Sequence, residues 1–319
     1  MTDIGPSTTI GEIDEDALIA LFAPRLPRSD AEILGPGDDA AVLSVDGNLV
    51  VSTDVLIENR HFRTEWSSGA DVGWRAAMQN LADIDAMGAV PTALQVTLAA
   101  PAHTPVQWVL DFADGLREAC EPHGVGVVGG DLSGASEICI SVTAMGETHG
   151  TEPITRADAV DGQVVAVAGP LGGARAGLEQ LTRGERIDAE SIGLFLRPSP
   201  RIGAGLEAAL HGATAMMDLS DGLVRDATRM ARASEVGIDI ESALLPVHDG
   251  ARKVAVALQL DPRPWALAGG EDHHMLAVFQ RESAVPEGWT VVGVTSDAFS
   301  GVRVDGEEPT VRGWDHFAG

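Results

Sequence analysis

Six short clusters place acidic side chains beside glycines or hydroxyls, in order along the chain. They are Gly35-Pro36-Gly37-Asp38-Asp39-Ala40-Ala41, Val50-Val51-Ser52-Thr53-Asp54, Gln79-Asn80-Leu81-Ala82-Asp83-Ile84-Asp85-Ala86-Met87-Gly88-Ala89, Val127-Val128-Gly129-Gly130-Asp131, Met217-Asp218-Leu219-Ser220-Asp221-Gly222 and Ala268-Gly269-Gly270-Glu271-Asp272. One Asp-Gly or Gly-Asp pair says little, because turns use those residues everywhere. Six in order, each following an apolar run, form a pattern. Carboxylates present hard oxygen to Mg²⁺, which usually takes one or two of them and completes its shell with water and phosphate. Glycine lets a polyphosphate approach the backbone closely. Carboxylates spread over separate segments are therefore the expected form of a multi-metal phosphate site, with each acid expected at a strand end.

The charge balance narrows the chemistry. The chain carries 21 basic and 48 acidic residues, a formal charge of −27, which argues against nucleic acid as a partner. Its only lysine is Lys253, with no glycine-rich loop before it. A Walker loop needs Gly-Lys-Ser/Thr and a protein kinase needs a lysine on its third strand, so neither is present. If nucleotide is handled here, metals and arginines must neutralise its phosphates. Cys120 and Cys139 have no metal-type spacing and read as small buried hydrophobes. No apolar run is long enough to span a membrane, and Met1-Thr2-Asp3-Ile4-Gly5 lacks the features of a signal peptide, so a cytoplasmic protein is expected.

These clusters need elements to hold them. Apolar periodicity predicts helices over 14–26, 71–87 and 105–121, and strands over 40–44, 49–54, 92–99, 125–128 and 137–145. Asp46-Gly47 reads as the turn of a hairpin. After a polar, turn-rich stretch near 146–162, further strands are expected at 163–167, 213–217, 238–241, 274–279 and 290–294, with helices at 173–181, 202–210 and 220–233. The fold class expected is α+β in two domains, 1–149 and 150–319. The first would carry a mixed or antiparallel sheet with helices, the second an α/β sandwich-like layer, with the active site in the cleft.

The order and wording of the clusters resemble the thiamine-monophosphate kinases, within the superfamily of aminoimidazole ribonucleotide synthetase. The resemblance runs from about residue 35 to 317. It is carried by Gly37-Asp38-Asp39-Ala40-Ala41, Ser52-Thr53-Asp54, His61-Phe62, Asn80-Leu81-Ala82-Asp83, Gly129-Gly130-Asp131, Leu196-Arg197-Pro198-Ser199-Pro200-Arg201, Asp218-Leu219-Ser220-Asp221-Gly222-Leu223 and Gly269-Gly270-Glu271-Asp272. It implies a kinase that moves the γ-phosphoryl group of ATP to thiamine monophosphate, using several Mg²⁺ ions. Asp39, Asp54, Asp83, Asp131 and Asp218 are then implied as metal ligands, helped by Ser52 and Thr53, with Asp221 as a further ligand. Gly130, Asp131, Arg156 and Ser220 are implied on the ATP side, and His61, Glu271 and Trp314 on the thiamine phosphate side. A homodimer paired through strands of the N-terminal domains is also implied.

Two departures stand out: His273-His274-Met275-Leu276 follows Glu271-Asp272 where the family commonly has Tyr-Glu-Leu, and Ala82 replaces a serine. Adjacent histidines on a strand would point apart and not chelate one ion. The alternatives are an aminoimidazole ribonucleotide synthetase-like, ATP-dependent enzyme and a non-catalytic, acidic, divalent-cation-binding protein.

Overall fold

The computed structural model describes residues 5, 7–37 and 40–314, and the chain divides into two compact units, Met1–Ile84 with Val90–Thr151 and Asp85–Ala89 with Glu152–Gly319. In chain order the first holds α1 (Glu15–Phe22), β1 (Glu32–Leu34), β2 (Val42–Leu43), β3 (Leu49–Ile57), α2 (Gly69–Asp85), β4 (Val90–Ala100), α3 (Val106–Cys120), β5 (Gly126–Gly134) and β6 (Cys139–Glu147). Asp85, the last residue of α2, belongs to the second unit.

The main sheet of the first unit runs β3-β6-β4-β5, antiparallel except for the parallel pair β4/β5 that α3 connects. β6 forms because Ile140, Val142 and Ala144 alternate into the core. α3 forms because Val106, Val109, Phe112, Ala113, Leu116 and Cys120 recur at helical spacing and are buried. Gly69 and Gly73, one turn apart on α2, let that helix press against α3. A Cβ at either position would lie 2.1 Å from the carbonyl oxygen of Trp108 or Phe112. Cys120 is buried and its thiol is pushed up to about 12 by desolvation, so it is inert.

The Asp46-Gly47 hairpin does not form. β2 pairs with β1, and β3 pairs with β6. The turn's N–H groups are taken instead by the end of β6: Asp46 donates to Glu147 Oε2 at 2.6 Å and Asn48 to Thr148 Oγ1 at 3.1 Å. The chain thus leaves one sheet and enters another.

The second unit contains β7 (Val164–Val167), α4 (Gly173–Arg183), α5 (Ala189–Leu196), α6 (Ala204–Leu210), β8 (Ala213–Asp218), α7 (Leu223–Ser234), β9 (Gly237–Ile240), α8 (Asp249–Leu258), α9 (Arg263–Ala268), β10 (Met275–Phe279), β11 (Thr290–Ser296) and β12 (Gly301–Val304). Its six-stranded sheet runs β12-β9-β11-β7-β10-β8, antiparallel except β12/β9. Val165, Val167, Met217, Leu276 and Val278 of the sheet share a core with Leu223, Ala227 and Met230 of α7 and Val254 of α8. Asp188 caps α5 by accepting from Ser191 N at 2.9 Å, and Lys253 of α8 reaches the same carboxylate at 3.4 Å. Asp85 plays a similar part, accepting backbone N–H bonds from Gly203, Gly205 and Leu206 at 3.0 to 3.2 Å, where α6 begins. Burial still pushes its carboxyl up to about 6.

Candidate active site

On the first unit a polar patch forms where α2 meets the edge strand β3. Ser52 and Asp54 are two residues apart on β3 and share a face. Gln79 and Asp83 are one turn apart on α2 and also share a face. The two pairs join in opposite chain directions: Ser52 Oγ donates to Asp83 Oδ2 at 2.6 Å, and Gln79 Nε2 donates to Asp54 Oδ2 at 3.0 Å. Thr53 faces the other way and gives its hydroxyl to Val142 O at 2.9 Å. His61 lies just past the end of β3, where Ile57 N donates to its Nδ1 at 2.9 Å. The imidazole is thereby held with its proton on Nε2.

The acids are not all at strand ends. Asp54 is three residues short of the end of β3, and Asp131 three short of the end of β5, because the ladders continue past both. Asp83 is helical, whereas Asp218 does end its strand. β3 and β5 are opposite edges of the sheet, three strand spacings apart. About 14 Å therefore separates Asp54 from Asp131 within one chain, too far for one ion to bridge. Gly130 meets β4 where no side chain would fit, since a Cβ there would lie 1.8 Å from Val96 O. Asp39 lies outside the described residues.

On the second unit the loop from β8 into α7 gathers most of the other expected residues. Glu271 N donates to Ser220 O at 2.9 Å, His273 N to Leu219 O at 3.0 Å, and Trp314 N to Asp221 O at 2.9 Å. Ser220, Asp221, Glu271 and Trp314 are thus brought together by their backbones, and Trp314 keeps 54% of its surface exposed. The 270–273 turn is unusual: Gly270, Glu271 and His273 have φ of 67°, 65° and 52°. Positive φ at the two non-glycine residues carries strain that the surrounding bonds must hold. Asp272 supplies one such hold, accepting from Gly172 N at 2.7 Å and Ala174 N at 3.3 Å at the start of α4. Burial pushes its carboxyl up to about 6.

Charge is dense around this loop. Asp218 Oδ2 lies 3.2 Å from Nδ1 of buried His273. Arg229 reaches Asp221 at 2.5 Å and Asp226 at 2.6 Å, and Arg225 lies 3.4 Å from Asp221. Asp226 is fully buried and pushed up to about 7, by desolvation first and then by Asp218 and Asp221, against the pull of Arg229. The histidine pair precedes β10 and does not lie on a strand, contrary to the sequence reading. His274 is pushed down to about 4 by burial, with His273 and His248 adding to it.

Arg156 is not part of this cluster. It is exposed, and its carbonyl accepts from Ser234 at 2.7 Å. Ser234 ends α7, a helix of 12 residues and about 18 Å, whose other end meets Asp221. Sequence reasoning missed Gln79, Asp226 and Arg229. Gln79 carried a signal, standing four residues before Asp83; a buried carboxylate inside α7 carried none. Among the described residues no three His, Cys, Asp or Glu side chains converge closely enough to hold a metal by themselves.

Both units match the AIR synthase related class: its N-terminal domain family covers residues 37–148 and its C-terminal domain family residues 160–285. The thiamine-monophosphate kinase of Mycobacterium tuberculosis is 43% identical over 314 residues, covering 98% of this chain and 94% of that protein. That of Corynebacterium glutamicum is 36% identical, covering 97% and 95%. The solved structure of AaThiL complexed with AMPPCP and TMP superposes with a TM-score of 0.80 at 31% identity, covering 98% of this chain and all of that one. The chain belongs to the thiamine-monophosphate kinase family.

Proposed function

We propose that this protein transfers the γ-phosphoryl group of ATP to a phosphate oxygen of thiamine monophosphate, giving thiamine diphosphate and ADP. The observation that carries the reading is the end-to-end relation to kinases of that name, at 43% identity. The acceptor oxygen is anionic near neutral pH, so the reaction needs no strong base. The obstacle is charge: at an effective dielectric of about 20, two like charges 4 Å apart repel by roughly 4 kcal/mol. The role of the carboxylates is to hold cations against that repulsion.

Ser52, Asp54 and Asp83 offer only hard oxygens, a donor set that suits Mg²⁺. Mg²⁺, when bound, neutralises phosphate charge and stabilises the transferring group. Asp39, Asp131, Asp218 and Asp221 complete the proposed holders. Thr53 could contribute only its backbone oxygen to the face of Ser52 and Asp54. Gly130, Arg156 and Ser220 are assigned to ATP, and His61, Glu271 and Trp314 to thiamine monophosphate. Dimer formation is part of the proposal: Leu49, Val51 and Val55 on one face of edge strand β3 are 44 to 55% exposed, a strip that a second copy would cover.

The test is ADP release from Mg-ATP with and without thiamine monophosphate. Release that depends on that acceptor and yields thiamine diphosphate is expected. Acceptor-independent release would favour another ATP-dependent enzyme, and no release would favour a cation-binding protein.

A further inference from the structure

We infer that Gln79 is a positioning residue that sets the Asp54 carboxylate for cation binding; this rests on the reading of Asp54 as a cation holder. Gln79 is only 7% exposed, and burying an amide is costly unless it is hydrogen-bonded. Its Nε2–H is given to Asp54 Oδ2 at 3.0 Å. Donated from a buried side chain, this bond restricts the rotation of the Asp54 carboxylate. Asp83, one turn further along α2, likewise accepts from the hydroxyl of Ser52 at 2.6 Å. Asp54 and Asp83 thus each accept a hydrogen bond from the facing element. Partners of this kind set ligand geometry, and their loss typically weakens a metal site about tenfold or more.

The test uses full-length Gln79→Met, which keeps length and apolar filling but removes the donor, and Gln79→Asn, which keeps the amide but withdraws it by one carbon. Mn²⁺ binding is titrated calorimetrically in the presence of a non-hydrolysable ATP analogue, with Asp54→Asn as reference, and melting temperatures of the metal-free proteins are recorded. The expected result is about tenfold weaker Mn²⁺ binding in both Gln79 variants, with melting temperatures near wild type. If Asp54→Asn loses Mn²⁺ binding while a folded Gln79 variant keeps it, the positioning role is overturned and the reading of Asp54 survives. If Asp54→Asn binds Mn²⁺ like wild type, that reading fails and the inference falls with it. Failure of both Gln79 variants to fold would assign Gln79 to the core and overturn the inference as well.

Discussion

Replacing Asp272 with asparagine should change how stability depends on pH. The folded protein raises this carboxyl from its ordinary 3.8 to about 6, mainly by burial, despite two N–H bonds from the start of α4. Between those values the folded state holds a proton that the unfolded state has released. The contribution is therefore full below pH 3.8 and is lost as pH rises through 6. At 1.36 kcal/mol per pKa unit the whole effect is at most about 3 kcal/mol, of which about 2 falls between pH 4.5 and 7.5. Asparagine does not ionise and can still accept one of the N–H bonds. Urea unfolding of wild type and Asp272→Asn across that range should give curves that are not parallel. The variant should be the weaker at pH 4.5 and should regain about 2 kcal/mol relative to wild type by pH 7.5. A stability difference that stays constant with pH would refute the burial argument.

Other substitutions should separate chemistry from folding. Trp314→Ala should raise the KM for thiamine monophosphate several-fold or more, since a cation or flat ring over Trp is worth about 0.5 to 2 kcal/mol, and leave the KM for ATP nearly unchanged. Equal loss for both substrates would instead indicate a packing role. Asp131→Asn should nearly abolish turnover while its circular dichroism spectrum and melting temperature stay near wild type; near-normal activity at limiting Mg²⁺ would remove it from the cation holders. Gly205→Ala, whose Cβ would lie 1.8 Å from Asp85 O, should lower the melting temperature through backbone displacement costing about 1 to 3 kcal/mol. Millimolar Mg²⁺ with ATP should raise the melting temperature, because ligands that bind only the folded state stabilise it; an unchanged midpoint would count against crowded carboxylates awaiting cations.

Elements whose burial is strictly periodic were legible in the sequence. The alternation of Ile140, Val142 and Ala144 in β6 and the stripe from Val106 to Cys120 in α3 each follow from one repeating contact with a core. The acidic clusters were legible because glycine and aspartate stand out against the apolar runs before them. Pairing was not: β3 finds β6 about 90 residues away, and Asp46-Gly47 is identical in sequence to a turn that would have closed a local hairpin. The positions of Asp54 and Asp131 inside their strands depend on partners that keep the ladder going past each acid. Local reading also missed α5, a helix of eight residues started by the Asp188 cap, because so short a stretch shows little periodicity. Nothing in the sequence of α7 marks Asp226 as buried, because its enclosure comes from Arg229 and the β8–α7 loop.

The solitary lysine has a practical bearing on how this molecule can be watched. Lys253 lies within α8, its side chain 61% exposed but its backbone locked in the helix beside the Asp188 cap. A lysine-specific protease has one cleavage point in the whole chain, and proteases need an extended backbone that a closed helix denies them. Each cut would record one opening of α8, and the released C-terminal piece would carry β10, β11 and β12, half of the second unit's sheet. When opening and closing are faster than cleavage, the digestion rate under native conditions measures the local opening free energy of that unit on a single gel band. The first unit, which contains no lysine, would contribute nothing to the signal.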